Sequence, residues 1–487
     1  MTPHPSLRVA RPSQGAGFSL IELMVSIGIS MVLIAGLAAM LVNVSFNNNE
    51  MAKHNAQIEN GRFAIQALEM DLSQAGYWGT FVPQFDDMAW TRVPDDTPSA
   101  VPDPCLAYSA AAWDYDHVNN LVGIPVAASD TMFNTCTGLT NQVAGTAVLV
   151  VRHAEACVAG TPGCTTLVNG KMYFQASLCA QPTSGIARGG SVSTIVLPAT
   201  GTGSTTSSVE NAYVGMRIRT LAGAGSGQSG TITAYNGVTN TATVSGWTVA
   251  VSDTTRFTIT ENILAASTGA GTLATTYTNR ARGANCSTAA TAPLRKYVSN
   301  IYYVRNFSVT AGDGIPTLVR SEFDPGNTVA LAHQGAVALV EGIQNFQVEL
   351  GLDNLVTRCT PNRAVNYGVE PNLVLPSTCL ASLTASANTL PTNRGDGNPD
   401  EYVRCTAAVP CTAAQLTNVV SAKLYVLVRN TQATQGYTDT KTYCLGPNLV
   451  TGCATGREVG PFRDGFQRHL YTTTVRLPSV AGRRETP

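Results

Sequence analysis

Residues 23–42 constrain this chain more than any other stretch, because they form an apolar run without a single charged side chain. As helix, at about 1.5 Å per residue, such a run crosses the roughly 30 Å hydrocarbon core of a bilayer. A chain that must place this run in lipid builds everything else around an anchor. Glu22 lies at its border, and a carboxylate in the middle of a bilayer costs about 2.5–3.5 kcal/mol on insertion scales. The chain has no Lys or Arg between Arg11 and Lys53. Any cation that pairs with Glu22 therefore has to come from elsewhere.

The residues ahead of the run set its orientation. Residues 1–16 carry Arg8 and Arg11 and no acid, so the positive-inside rule holds this end in the cytoplasm and sends the remainder across. No small-residue signal-peptidase site follows the run, and the run is longer than a usual secretory h-region, so the helix is expected to stay with the mature protein.

The border itself reads Gly17-Phe18-Ser19-Leu20-Ile21-Glu22. It resembles the processing site of type IV prepilins. The resemblance implies cleavage by a prepilin peptidase after Gly17, N-methylation of Phe18 as the new first residue, and a subunit-assembly role for Glu22, whose carboxylate meets the N-terminal amine of a neighbouring subunit. Residues 1–17 are then a leader and residues 18–76 a pilin helix, transmembrane over 20–42.

Net charge is −1, which gives no reason to expect nucleic acid as a partner. All 12 cysteines follow residue 100, in the part expected to cross the membrane, where oxidising conditions favour disulfides. The close pairs Cys157 and Cys164, Cys405 and Cys411, and Cys444 and Cys453 are expected to staple local loops, while the connectivity of the others stays open. No C-x-x-C occurs, and His153 with Cys157 stands alone as a close His–Cys spacing, so disulfides are expected rather than zinc.

Beyond the membrane the helical pattern continues. Ile58, Ile65, Leu68 and Leu72 recur at helical intervals while Glu59, Arg62, Glu69 and Asp71 take other faces, which predicts one buried stripe. Gly76 is expected to end the helix. Gly28, Gly36 and the run Asn47-Asn48-Asn49 each lower helix propensity by up to about 1 kcal/mol relative to Ala. Two readings follow, a bend or local melting on one hand and close helix packing at the glycines on the other.

After Gly79 the sequence turns to short alternating runs. Residues 147–151, 297–304, 346–352 and 424–428 read as strands; in the third, Phe346, Val348, Leu350 and Leu352 face one way and Gln347, Glu349 and Gly351 the other. The fold class expected is α+β: a long N-terminal helix packed by its stripe on an antiparallel β-sheet head, residues 77–487. Residues 182–261 are Gly/Ser/Thr-rich and read as a small β-module inserted in a head loop, since lengthening a surface loop costs only about 0.6 kcal/mol per doubling.

Gly61-Arg62-Phe63-Ala64 and Asp71-Leu72-Ser73-Gln74-Ala75-Gly76-Tyr77-Trp78-Gly79 narrow the resemblance to PilW-type minor pilins, with Ser73 where that family usually shows Arg. Leu339-Val340-Glu341-Gly342-Ile343, the run 420–429 ending in Leu427-Val428-Arg429, and Tyr471-Thr472-Thr473-Thr474-Val475-Arg476-Leu477 continue it in order. It implies a structural subunit that helps start pilus assembly, at or near the tip, supporting adhesion or twitching motility. Its implied partners are the prepilin peptidase, other minor pilins, the major pilin, a large tip adhesin and the inner membrane. Before assembly the protein would be a single-pass bacterial inner-membrane protein with a periplasmic head, and afterwards part of the pilus at the cell surface. A J-type pseudopilin of type II secretion and a pilus-displayed adhesin are the alternatives.

Three motifs carry other chemistry on paper. Gly225 to Gly230 satisfies G-x-G-x-x-G, but strand-like residues 231–235 follow where a dinucleotide site needs a helix. Residues 393–400 resemble a calcium-loop stretch of PilW-type heads, yet Thr392 and Arg394 stand where acids would be, so a plain turn is expected. That stretch also contains Arg394-Gly395-Asp396, an integrin-binding word. His4, His54, His117, His153, His333 and His469 are scattered, with no H-E-x-x-H and no nucleophile elbow. No catalytic residue, metal or cofactor is expected.

Overall fold

A computed structural model describes residues 17, 19–87, 93–109, 112–176, 184–199, 206–260, 263–269, 272–273, 293–326, 331–356, 363–369, 393–449 and 452–485. The chain divides into two compact units, Met1–Ala56 and Gln57–Pro487. One helix, Leu20–Gln74, runs through the boundary between them. It stays helical through Gly28, Gly36 and Asn47 to Asn49, so the melting weighed from sequence is absent. Isolated weak formers of about 1 kcal/mol each do not break a helix with strong formers on both sides. Apart from the neighbouring backbone of its own helix, no atom of the described residues lies within 4 Å of a Cβ built on Gly28 or Gly36.

In the first unit every residue from Leu20 to Asn49 is exposed. In the second, the helix buries Gln57, Gly61, Ala64, Leu68 and Leu72. Ile58, expected on that stripe, is 48% exposed, and Ile65 is only partly buried. The true stripe begins one residue earlier, with a glutamine and a glycine that apolar periodicity does not register. The helix ends as expected, with Gly76 at φ +72°, a left-handed residue just past the last turn.

The stripe packs into one core with two antiparallel sheets. A four-stranded sheet runs in the order Glu401–Val403, Ile343–Leu352, Val419–Arg429, Arg468–Arg476. A nine-stranded sheet is centred on Arg295–Arg305, flanked by Val148–Ala154 and Thr317–Pro325. The chain passes from one sheet to the other at Gly342, between Val337–Glu341 and Ile343–Leu352. Its φ is +77°, and a Cβ there would lie 2.5 Å from the Arg429 carbonyl oxygen. Only glycine fits both demands.

The alternation in 346–352 has the expected sides: Phe346, Val348, Leu350 and Leu352 join the core shared with the helix. The opposite face is covered too, against the usual expectation for an antiparallel sheet with one wet face. The Tyr425 hydroxyl donates to Glu349 at 3.0 Å and the Arg404 guanidinium lies 3.4 Å from it. A second small cluster of Tyr425, Leu427, Tyr443 and Leu445 lies beside them.

Residues 184–260 form a separate seven-stranded sheet, in the order Ser184–Ile186, Arg256–Thr260, Arg217–Ala222, Ser229–Asn236, Thr241–Ser245, Thr194–Val196, Gly189–Gly190. Its apolar cluster, including Ile195, Ile218, Ile232, Tyr235 and Phe257, is its own. The strands on either side of it, Met172–Phe174 and Leu264–Gly269, are antiparallel neighbours in the nine-stranded sheet. The seven-stranded sheet also touches the helix Tyr115–Gly123: Arg219 pairs with Asp116 at 2.8 Å and covers the Tyr115 ring.

The C-terminal helix, Pro478–Arg484, closes the head. Arg484 is fully buried, with Nε donating to Asp86 at 2.9 Å and Nη2 to the Thr417 carbonyl at 2.8 Å. Arg483 also reaches Asp86, at 3.0 Å. Burial alone would raise the Asp86 carboxyl, but Arg484 and Arg483 outweigh it and hold that group below the usual carboxylate range.

Four disulfides join described cysteines: Cys157–Cys164, Cys405–Cys411, Cys444–Cys453 and Cys105–Cys136. The first three are the local staples expected from spacing. The fourth closes a separation of 31 residues, which spacing could not assign. Cys179, Cys286, Cys359 and Cys379 lie outside the described residues.

Candidate processing and assembly site

The border of the apolar run has a defined local geometry. Gly17 is exposed, and Phe18 lies outside the described residues. The Ser19 N–H donates to Glu22 Oε2 at 3.1 Å, and the Glu22 N–H donates to Ser19 Oγ at 3.2 Å. This reciprocal pair is a capping box, which satisfies two donors that a helix start otherwise leaves open. In hydrocarbon those donors have no water to turn to. Glu22 Oε1 makes no hydrogen bond among the described residues.

The serines further along return their hydroxyls to the helix. Ser26 Oγ donates to the Glu22 carbonyl at 2.6 Å and Ser30 Oγ to the Ser26 carbonyl at 2.7 Å. Every polar side chain of the first three turns is thereby bonded locally, which suits lipid. The most apolar 18-residue window of this helix has mean hydropathy 2.5, and none of it is buried within the protein's own fold. Ser19 caps the helix start, and S-x-x-E ahead of an apolar run is the sequence signature of that role.

At the other end of the helix, residues from the sequence words behind the family resemblance share the docking contacts with residues outside those words. Gln57 Nε2 donates to the carbonyls of Val428 and Gln467, at 2.9 and 3.0 Å, and Asn60 Nδ2 to that of Glu341 at 3.1 Å. Gly61 lies under Tyr471: a Cβ there would come within 2.2 Å of the ring. Asp71 receives His153 Nε2 at 2.9 Å and Asn300 Nδ2 at 3.0 Å, tying the last turn to two strands of the larger sheet. Gly76 N–H then donates to the Arg152 carbonyl and Ala154 N–H to that of Tyr77, so the chain leaves the helix already paired with a strand.

The competing motifs take structural places. Gly225 to Gly230 forms the turn into the strand Ser229–Asn236, with Gly225 and Gly227 at positive φ. In the calcium-like stretch, Asp400 Oδ2 accepts from the Asn354 and Leu355 N–H groups, and Asp353 accepts from those of Asp396 and Gly397. Burial lifts the Asp353 carboxyl to about 6 against the pull of Arg484 and these two N–H donors. Thr392 lies outside the described residues. Among the described residues no group of three or more His, Cys, Asp or Glu side chains is placed to hold a metal ion. Arg394 is 1% exposed, so the Arg-Gly-Asp word is not displayed for a receptor.

His333 lies between two serines, Nε2 3.2 Å from Ser299 Oγ and Nδ1 3.2 Å from Ser321 Oγ. Burial, and then Arg152, push its pKa down to about 3, so it stays neutral. Ser321 Oγ donates its proton to the Gln334 carbonyl, and among the described residues no carboxylate is hydrogen-bonded to the ring.

Residues 301–479 match the family Type IV Pilus-assembly protein W, and residues 13–38 match the prokaryotic N-terminal methylation motif. No curated protein and no solved structure matches the chain. The first match covers the chain from the central strand of the larger sheet to the start of the C-terminal helix. The second covers Gly17, the capping box and the apolar turns after it. Both agree with the resemblance read from the sequence.

Proposed function

We propose that this type IV pilus-related pilin is a minor pilin, one that takes part in starting assembly and sits at or near the pilus tip. In this reading residues 1–17 are the leader, cleavage falls after Gly17, and Phe18 becomes the N-methylated first residue. The chain is held in the inner membrane by residues 20–42 with its head in the periplasm until assembly draws it into the filament. Residues 182–261 are an inserted module on that head. Its partners are the prepilin peptidase, the major pilin, other minor pilins and a large tip protein. The role is structural rather than catalytic, and motility or adhesion belongs to the assembled pilus.

The observation that carries the reading is a helix with two unlike halves. One half is exposed along residues 20–49 and has a carboxylate at its border; the other is locked to the head by named hydrogen bonds. Glu22 is bonded within its own helix through one oxygen. The amine created at Phe18 of a neighbouring subunit is a charge that the remaining oxygen can accept without disturbing the cap.

The test is Glu22→Ala in the full chain. N-terminal mass should still begin at N-methyl-Phe18 and the head should melt as the parent does, while pilus number and co-purification with other minor pilins fall. Wild-type piliation and co-purification from a normally processed variant would defeat the assembly role. Met1 retained in protein recovered from pili would defeat the processing.

A further inference from the structure

Residues 184–260 carry four arginines and no lysine, against two acids, Glu210 and Asp253. The strand register gathers those arginines on one face of the seven-stranded sheet. Ile218, Phe257 and Ile259 belong to the module's apolar cluster, so Arg217, Arg219 and Arg256, each one residue along its strand from one of them, point out of the opposite face. Ile186 lies opposite Arg256 and is exposed on that face; Ala187 turns back into the cluster and Arg188 is exposed again. At about 3.4 Å per residue and about 4.8 Å per strand, Arg217, Arg219 and Arg256 follow one another diagonally in steps of about 7–8 Å, and Arg188 continues the line.

Most of this charge is uncompensated. Arg219 is neutralised by Asp116 of the head, while Arg217 Nη2 donates to a hydroxyl, Ser229 Oγ, at 3.2 Å. The guanidiniums of Arg188 and Arg256 make no hydrogen bond or ion pair among the described residues, and both side chains are exposed. Of the module's two acids, Glu210 accepts from the Gly237 N–H at 2.9 Å, and Asp253 lies in the turn ahead of Arg256. The rest of the face is hydroxyl. Thr231 and Thr233 flank the buried Ile232, and Thr243 and Ser245 flank the buried Val244. Thr233, Thr243 and Ser245 are exposed, as is Ser229.

We propose that this face binds an acidic polysaccharide, its carboxylates on the arginines and its sugar hydroxyls on the neighbouring Ser and Thr side chains. A guanidinium presents a fork of N–H donors that matches a carboxylate, and a row of them selects a chain with repeated negative charge. Single-stranded nucleic acid also has repeated charge, but its binders add aromatic rings on which the bases stack. The four aromatic residues of 184–260, Tyr213, Tyr235, Trp247 and Phe257, are all in the module's buried cluster, so the face has no ring to offer. The site goes beyond the pilin reading and does not depend on it, because the measurement below uses no pilus component.

The full chain in uncharged detergent micelles is titrated into fluorescein-labelled polygalacturonate oligomers, their methyl esters, and a labelled thymidine oligonucleotide of similar length. The esters keep the sugar backbone and lose the charge; the oligonucleotide keeps the charge and loses the sugar hydroxyls. Polygalacturonate should bind saturably by anisotropy, and both controls at least tenfold more weakly. The double variant Arg188→Glu with Arg256→Glu should weaken polygalacturonate at least tenfold without shifting the melting curve, since neither guanidinium has a partner to lose. Arg62→Glu, an exposed arginine on the N-terminal helix, should leave the affinity as it was. No binding of polygalacturonate, equal binding of its methyl ester, or parental affinity in the double variant overturns the proposal. So does a loss with Arg62→Glu as large as that of the double variant, which would mean diffuse attraction rather than a face. Binding of the oligonucleotide as tight as that of polygalacturonate also overturns it, and the occupant is then a nucleic acid strand.

Discussion

The two halves of the N-terminal helix share one secondary structure and differ in what holds it. Residues 20–49 are exposed throughout, and the polar side chains of the first three turns are bonded locally, through Ser19 with Glu22, Ser26 and Ser30. Residues 57–74 bury a stripe in the head's core and send Gln57, Asn60, Glu69 and Asp71 to partners far along the chain. Local hydrogen bonding lets a helix exist in lipid whatever surrounds it. Long-range bonding fixes a helix to one position on one sheet. A substitution should therefore register in head stability only on the second half.

Leu68→Ala should make that contrast plainest. Leu68 is fully buried between the helix and both sheets, and truncation of such a leucine costs about 2–5 kcal/mol. Thermal unfolding of the head should shift down accordingly, and an unchanged melt would mean that the helix is not part of the head's core.

Gly61→Ala comes next. Its Cβ has to displace the Tyr471 ring, and overpacking of this kind costs about 1–3 kcal/mol. A double variant with Tyr471→Leu should recover part of the loss. Absence of any coupling between the two would place the cost elsewhere.

Ser19→Ala should act on the first half alone. Loss of an N-cap costs about 0.5–2 kcal/mol of local helix stability, visible as faster amide exchange in residues 20–23 in micelles, with the head's melting unchanged. Protection equal to the parent's would show that the capping box does not persist in that environment. Ile58→Ala should have the smallest effect, within about 0.5 kcal/mol on head unfolding, because that side chain is largely exposed. A loss as large as that of Leu68→Ala would restore the stripe that periodicity alone suggests.

Ile58 also marks how far the sequence could be read. Leu68 and Leu72 stood out because apolar residues at helical spacing announce a buried face. Gln57 and Gly61 did not, since one is buried for its hydrogen bonds and the other for its lack of a side chain. The α+β class, the strand positions and the three short disulfides were legible, being local in sequence. The covered second face around Glu349 was not, because its cover comes from Arg404 and Tyr425, more than fifty residues away. At the site, Gly17, Phe18 and Glu22 were readable as a word. The bond between Ser19 and Glu22 needed the helix start to be seen.

The strands Met172–Phe174 and Leu264–Gly269 give the molecule one more property. Two adjacent antiparallel strands lie about 4.7–4.9 Å apart, so whatever is carried between them begins and ends at nearly the same point. Leu264 lies opposite Phe174 in the host sheet, and lengthening a loop adds only about 0.6 kcal/mol per doubling, so a segment of another length should leave that pairing in place. Replacing the segment would also remove Arg219, so the Tyr115 ring and Asp116 left behind would need a new polar neighbour.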